Sequence, residues 1–322
     1  MERVVEIKKQ GLLEKKKKMS WRKIKDQRYL MLLSLPFAVW IVIFKYIPLW
    51  GWTMAFQDYT YASVDKPFWS QKWVGIKHFT ALFNDNRFYL VLRNTLAMSF
   101  LKIAFGFIIP IIFAILLNEL RVKKFKKAVQ TISYLPHFVS WVIAAGIIIK
   151  MLSVDDGLIN NILMFFNITK EPIQFMMKPK LFWWIVLASG IWKDTGWDSI
   201  IYLAAITGID QELYEAAKVD GAGRFKQIWH ITLPGIRPTV IVLLILTIGG
   251  MINIGFEQQF LLGNPAVEKY SEVLDLYALT YGINLGRISY GTAIGIFKSL
   301  VSITLLLSAN AIAKRFGENQ VI

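Results

Sequence analysis

The chain has 322 residues, 55% of them hydrophobic, and its 37 lysines and arginines against 22 aspartates and glutamates give a formal charge of +15. A positive mean hydropathy at this length excludes an ordinary soluble globule, and the absence of cysteine excludes thiol chemistry. The basic residues stand beside apolar runs, so lipid headgroups and membrane topology account for the charge, and no nucleic-acid partner is expected.

Residues 1–28 carry eleven of the basic residues, including Lys15-Lys16-Lys17-Lys18, and read as a cytoplasmic arm lying on anionic membrane lipid. The arm is too long and too basic for a secretory leader, and no small-residue cleavage site follows the first apolar run, so an uncleaved anchor is expected. Six apolar runs follow, centred on Tyr29 to Ile47, Leu90 to Leu117, Ala128 to Leu152, Leu181 to Thr207, Thr239 to Phe256 and Gly291 to Ala313. Each is long enough, or nearly so, to cross about 30 Å of hydrocarbon as a helix. The fold class is therefore all-α integral membrane protein, with six transmembrane helices in one domain over residues 29–322. Neither a long internal repeat nor a low-complexity linker divides it.

Lysines and arginines number 22 across the N-terminal arm, Asn118 to Lys127, Gly208 to Arg237 and the tail after Ala313. They number 9 across the alternate segments Gly51 to Arg87, Ser153 to Lys180 and Gly255 to Tyr290. That bias places both termini and the 208–238 loop in the cytoplasm, and an even number of crossings requires the termini to share a side. The first external segment gathers Trp50, Trp52, Trp69 and Trp73 with Tyr59 and Tyr61, which fit an interfacial belt better than sugar stacking. The 118–127 loop is basic and amphipathic, and a topology signal suffices to explain it. Lys45, Arg93 and Lys298 stand near enough to span ends to snorkel.

The polar stretch Trp192-Lys193-Asp194-Thr195-Gly196-Trp197-Asp198 falls in the middle of the fourth run. Charges there cost a few kcal/mol each unless they pair or face water, so a polar cavity is expected. Asp194, Trp197, Asp198 and Ile201 share a helical face at steps of three and four. Lys193 can neutralise Asp194 or Asp198, or it can face a ligand. In the next run, Thr247, Met251, Asn253 and Glu257 are the polar or adaptable members, and Gly249-Gly250 permits close approach. The three histidines, His78, His137 and His230, lie on separate segments and support no metal cluster. No Gly-x-x-x-x-Gly-Lys-Ser/Thr occurs, so the chain is not expected to bind and hydrolyse ATP itself, and it reads as a transport subunit rather than an enzyme.

Between the fourth and fifth runs lies a compact polar stretch. Asp210 can cap a short helix whose first turns carry Glu212 and Glu215, and Gly221 and Gly223 stop it. Arg224 to His230 can form a second short helix, which Leu233-Pro234 is expected to end. The order Glu215-Ala216-Ala217, Gly221 four residues on, then Ile231, Leu233 and Pro234 resembles the EAA signature of permease subunits in binding-protein-dependent ABC importers, with every member in place. The stretches Gln130-Thr131-Ile132-Ser133-Tyr134-Leu135-Pro136-His137 and Trp229-His230-Ile231-Thr232-Leu233-Pro234 are similar to the sugar-permease branch, and within it to permeases for complex oligosaccharides and polysaccharide fragments. The likeness runs from about Tyr29 to the C-terminus.

That resemblance implies a type I ABC importer permease in the bacterial cytoplasmic membrane, with Glu215 and its neighbours as the coupling loop. Its implied partners are a second, similar permease, two ABC ATPases that bind the ATP and magnesium, and an external solute-binding protein. The chain itself is expected to carry no cofactor. In the maltose-type branch the sugar lies against the helices before and after the EAA loop. Counting outward from Glu215 brings Lys193, Asp194 and Trp197 to such places on the first helix, and Thr247 and Met251 on the second. The cargo expected is an oligosaccharide, acidic sugars included. Two other classes remain to be weighed. An ion-coupled sugar carrier would use Asp194 and Asp198 as protonation sites. A membrane enzyme on lipid-linked sugars would draw on Asp155, Asp156 and Glu257, which nothing pairs at catalytic spacing.

Overall fold

The computed structural model describes residues 27–315 other than 64, so the basic arm and the C-terminal tail lie almost wholly outside the described residues. Those described are mostly helical, and one isolated antiparallel bridge, Gln57 to Trp73, is their only β pairing. They fall into two compact units that divide between Thr53 and Met54.

The first unit is an apolar rod. Helix α1 (Arg28–Ile41) passes through a π turn at Val42–Tyr46 into a 3-10 stretch that starts at Ile47. No residue of α1 is buried, and Tyr29, Leu33 and Phe37 are all exposed. A helix apolar on every side belongs in lipid.

The second unit begins with α2 (Lys77–Phe83) and α3 (Asn86–Leu101), the latter capped by Asp85, whose carboxylate accepts from the Arg87 amide at 2.8 Å. A π turn at Lys102–Gly106 joins α3 to α4 (Ile108–Glu119) as one apolar rod of 34 residues. Next come α5 (Lys123–Tyr134) and a 3-10 turn at Leu135–Phe138; the chain then bends by 105° into α6 (Trp141–Met151). The third apolar run is thus broken rather than straight. Pro136 has no amide hydrogen to extend the first helix, and Ser140 Oγ accepts from the Ile143 amide to start the second.

After α7 (Leu158–Phe165) comes α8 (Pro179–Thr207), 29 residues opened by proline at its first position. The short α9 (Gln211–Val219) and α10 (Arg224–Gln227) form the polar loop. A π turn at Ile228–Thr232 then leads into α11 (Leu233–Gly249). Leu233-Pro234 therefore does not end the second short helix: Arg224–Gly249 is one rod of 26 residues. The π turn just before Pro234 widens the helix where the proline ring would clash with the preceding turn. That rod stops at Gly249, short of the expected Phe256.

Glu257–Leu262 (α12), Glu268–Ser271 (α13) and Leu274–Tyr277 (α14) precede a π turn at Ala278–Asn284 and the last helix, α15 (Ile288–Arg315). Four helices have the length and composition to cross a membrane: Arg28–Phe56, Asn86–Glu119, Arg224–Gly249 and Ile288–Arg315. The bent pair makes a fifth if taken as one span. Helix α8 is about 43 Å long at 1.5 Å per residue, but it carries Lys193, Asp194 and Asp198.

The segment expected as an external loop, Gly255 to Tyr290, packs inward. Val267, Val273, Leu274 and Tyr277 are at most 1% exposed. They join two core clusters, one with Phe88, Val91 and Ile294, the other with Met98, Phe182 and Val186. Polar bonds tie the segment to α3. Asn94 Nδ2 donates to the Lys269 and Glu272 carbonyls at 3.1 and 2.9 Å, and the Leu274 amide donates to Thr95 Oγ1 at 2.9 Å. Arg87 reaches Glu272 at 2.7 Å and Glu268 at 2.5 Å. Burial pushes the Glu272 carboxyl up, and its hydrogen bond from Arg87 opposes the shift. Lys298 does not snorkel. It is buried on α15 and paired with Asp275, whose second oxygen accepts from the Gly255 amide at 3.0 Å.

Candidate functional site: a polar loop and a cavity on one helix

The loop is built almost entirely from its own residues. Asp210 accepts from the Glu212 amide at 3.0 Å and caps α9. Gly221, at φ +76°, ends it in the left-handed region that a side chain on Cβ disfavours. There the Ala222 amide donates to Ala217 O at 2.8 Å and the Gly221 amide to Lys218 O at 3.1 Å, the paired bonds of a Schellman cap. Gln227 Nε2 donates to Ala222 O at 2.7 Å, and Tyr214 Oη meets Thr232 Oγ1 at 2.9 Å, which pins the first helix to the second.

Glu215, Ala216, Gly221 and Pro234 are exposed, whereas Ala217, Ile231 and Leu233 are half-buried. Leu233 packs with Tyr202, Ile206 and Ile236 beneath the loop. The loop also carries an apolar rim absent from the sequence candidates, where Val219 is 88% and Phe225 89% exposed. Both side chains face outward on an otherwise polar loop.

The cavity is organised by α8. Phe182, Val186, Ser189, Lys193, Gly196, Ser199, Tyr202 and Ile206 form its buried stripe at steps of three and four. At Gly196 the helix touches α5, and a Cβ there would stand 2.1 Å from Ser133 O. This approach carries the elbow after Pro136 onto α8. His137 Nδ1 lies 3.0 Å from Asp194 Oδ1, and its ring stacks parallel on Trp197 at 4.6 Å. Lys193 Nζ donates to His137 O at 2.6 Å and to Pro136 O at 3.3 Å where the helix breaks, and Pro136 O also accepts from the Val139 amide at 3.2 Å. Lys193 therefore neutralises neither Asp194 nor Asp198.

Two cavities of about 320 and 370 Å³ adjoin along a shared wall of Lys102, Gly106, Asp198 and Ile254. The first takes in Asp194, Asp198 and Glu257; the second takes in Asp198, Thr247, Met251 and Asn253. Lys193 and Trp197 line neither, because the elbow occupies them. Lys102, Trp141, Trp183, Thr195, Gln258 and Gln259 also line the first cavity and were not among the sequence candidates. Their signal was weak: Gln258-Gln259 is a polar pair beside an apolar run, and Lys102 stands alone in one. Lys102 is the one cation in either lining and sits at the π turn, a geometry that often marks functional helix sites. Among the described residues no group of three His, Cys, Asp or Glu is placed to hold a metal ion.

Residues 106–318 match the family model described as binding-protein-dependent transport system inner membrane component. The chain is 45% identical, over 96% of its length and 94% of the relative's, to the polygalacturonan/rhamnogalacturonan transport system permease protein YteP of Bacillus subtilis (strain 168). A crystal structure of a bacterial alginate ABC transporter in complex with alginate pentasaccharide-bound periplasmic protein contains a chain similar to this one. Its TM-score is 0.85 at 39% identity, covering 94% of this chain and 100% of that one. A second structure, of a bacterial ABC transporter involved in import of the acidic polysaccharide alginate, matches at TM-score 0.82 and 40% identity, covering 92% and 98%.

Proposed function

The chain belongs to the family of binding-protein-dependent transport system inner membrane components, and from that premise we propose that it carries acidic oligosaccharides. As a member it is an integral inner-membrane permease of an ABC importer, a transport subunit rather than an enzyme, working with a solute-binding protein. The finer reading adds a second, similar permease and two ATPases seated on the Glu215 loop, with both termini cytoplasmic. ATP and magnesium bind those ATPases, whose closure moves the loop and switches the cavity between outward and inward access.

The observation that carries the cargo reading is the lining of the first cavity. Trp141 and Trp183 offer faces for sugar rings, Asp194, Asp198 and Glu257 accept from hydroxyls, and Lys102 suits a carboxylate. The relatives named for polygalacturonan and alginate support acidic cargo. Nothing in the fold or the family favours the ion-coupled carrier.

The test is uptake of labelled trigalacturonate into proteoliposomes holding the full complex and its binding protein. Lys102→Gln should slow uptake roughly tenfold, the scale of one charge-assisted hydrogen bond. An unchanged rate would count against acidic cargo meeting this cavity.

A further inference from the structure

Five threonines in the helices return their hydroxyl to the carbonyl four residues back. Thr95 bonds Val91 O, Thr131 bonds Lys127 O, Thr247 bonds Leu243 O, Thr292 bonds Ile288 O and Thr304 bonds Leu300 O, all within 3.0 Å. Thr195, in the middle of α8, does not. Its Oγ1 is buried with no hydrogen-bond partner, and the residue lines the first cavity.

Gln259 shows the same pattern on the facing segment. It is 2% exposed, its Oε1 has no partner, and its Nε2 reaches only the thioether of Met98 at 3.8 Å. The neighbouring Gln258 makes the contrast plain, since its Nε2 donates to Val186 O at 2.6 Å and to Ser189 Oγ at 2.8 Å. Buried polar atoms without partners destabilise a fold, and two of them on one cavity wall are out of keeping with simple packing.

We infer that Thr195 and Gln259 form a hydroxyl-reading subsite, in which a ring hydroxyl of the passing saccharide donates to Gln259 Oε1 and bonds Thr195 Oγ1. This rests on the reading of the cargo as a saccharide and adds two selecting residues to it. Both stand apart from the positions that the EAA resemblance brought to the sugar. Trp141 and Trp183 supply apolar faces in the same cavity, so the subsite sets which hydroxyl pattern fits while the rings hold the sugar plane. A wall that expects a hydroxyl also rejects cargo that lacks one, because its own polar atoms then stay unpaired.

The experiment uses the full complex with its binding protein in proteoliposomes, with labelled trigalacturonate and labelled maltotriose as probes. Thr195→Val and Gln259→Leu keep the side-chain shape and remove the orphan oxygens. Each should assemble, melt at or above the wild-type temperature, and take up the wild type's preferred probe roughly tenfold more slowly. Thr195→Ser should restore the rate. Wild-type rates in both variants would overturn the subsite alone. A melting temperature that falls together with uptake, with no rescue by serine, would show a structural role and overturn it as well. A wild-type complex that moves neither trisaccharide would overturn the saccharide reading and the subsite with it.

Discussion

The loop around Glu215 and the cavity on α8 are adjacent in sequence and opposite in construction. The loop closes on itself, with Asp210 bonding two residues on, Ala222 five back and Gln227 five back. The cavity is assembled from afar: His137 meets Asp194 across 57 positions, and Gln258 meets Ser189 across 69. A self-contained loop keeps its shape when its surroundings move. A cavity held by distant contacts changes shape whenever any of its walls shifts, and alternating access requires that of it.

Substitutions can break each half of that comparison separately. The largest effect is expected at Gly196, where valine would drive its Cβ into Ser133 O at 2.1 Å. Separating α5 from α8 should cost about 3 kcal/mol or more, and the measurement is the yield of monodisperse, folded subunit. The loop's counterpart is Gly221→Val, with Glu215→Arg beside it. A β-branched residue at φ +76° costs about 1–2 kcal/mol, so the subunit should still insert. Uptake should nonetheless fall roughly a hundredfold while ATP hydrolysis continues, as for loss of a step that gates turnover. Normal uptake by both variants would refute the docking role.

A smaller effect should follow Asp194→Asn, which weakens the His137 contact at a pair about one-third exposed. About 1 kcal/mol is expected, seen as a modest drop in melting temperature with the loop's coupling intact. The smallest lies far from both regions. Burial holds His78 below its usual 6.5 despite its bond to Gln57 O, so the folded protein disfavours the protonated ring. The unfolded chain then binds the proton more readily, and the associated stability is present above pH 6.5 and declines as pH falls through the lowered value. Thermal melts of wild type and His78→Gln at pH 5 and 7.5 should show the wild type losing more.

What could be read from the sequence follows the same division. Asp210, Gly221 and the exposed Glu215 were legible because capping and left-handed turns are decided by residues within one or two turns of each other. The polar centre of α8 was legible too, since charges inside an apolar run are costly wherever they occur. The partners of those charges were not. Pro136 and Ser140 together mark a break, yet the apolar letters around them read as one rod. Nothing local in Gly196 distinguishes a helix contact from a neutral glycine. Lys298 looked like a snorkelling lysine because Asp275 lies on a segment that sequence placed outside the membrane. The π turns at Lys102–Gly106 and Ile228–Thr232 have no composition signal at all.

The unbroken passage of Arg224–Gly249 through Pro234 has a mechanical result. A helix that stopped at the proline would put a swivel between Arg224 and Thr247 on the cavity wall. Instead both lie on one strut about 39 Å long, widened at Ile228–Thr232 but nowhere jointed. A shove delivered at Arg224 arrives at Thr247 as displacement, with little slack to absorb it.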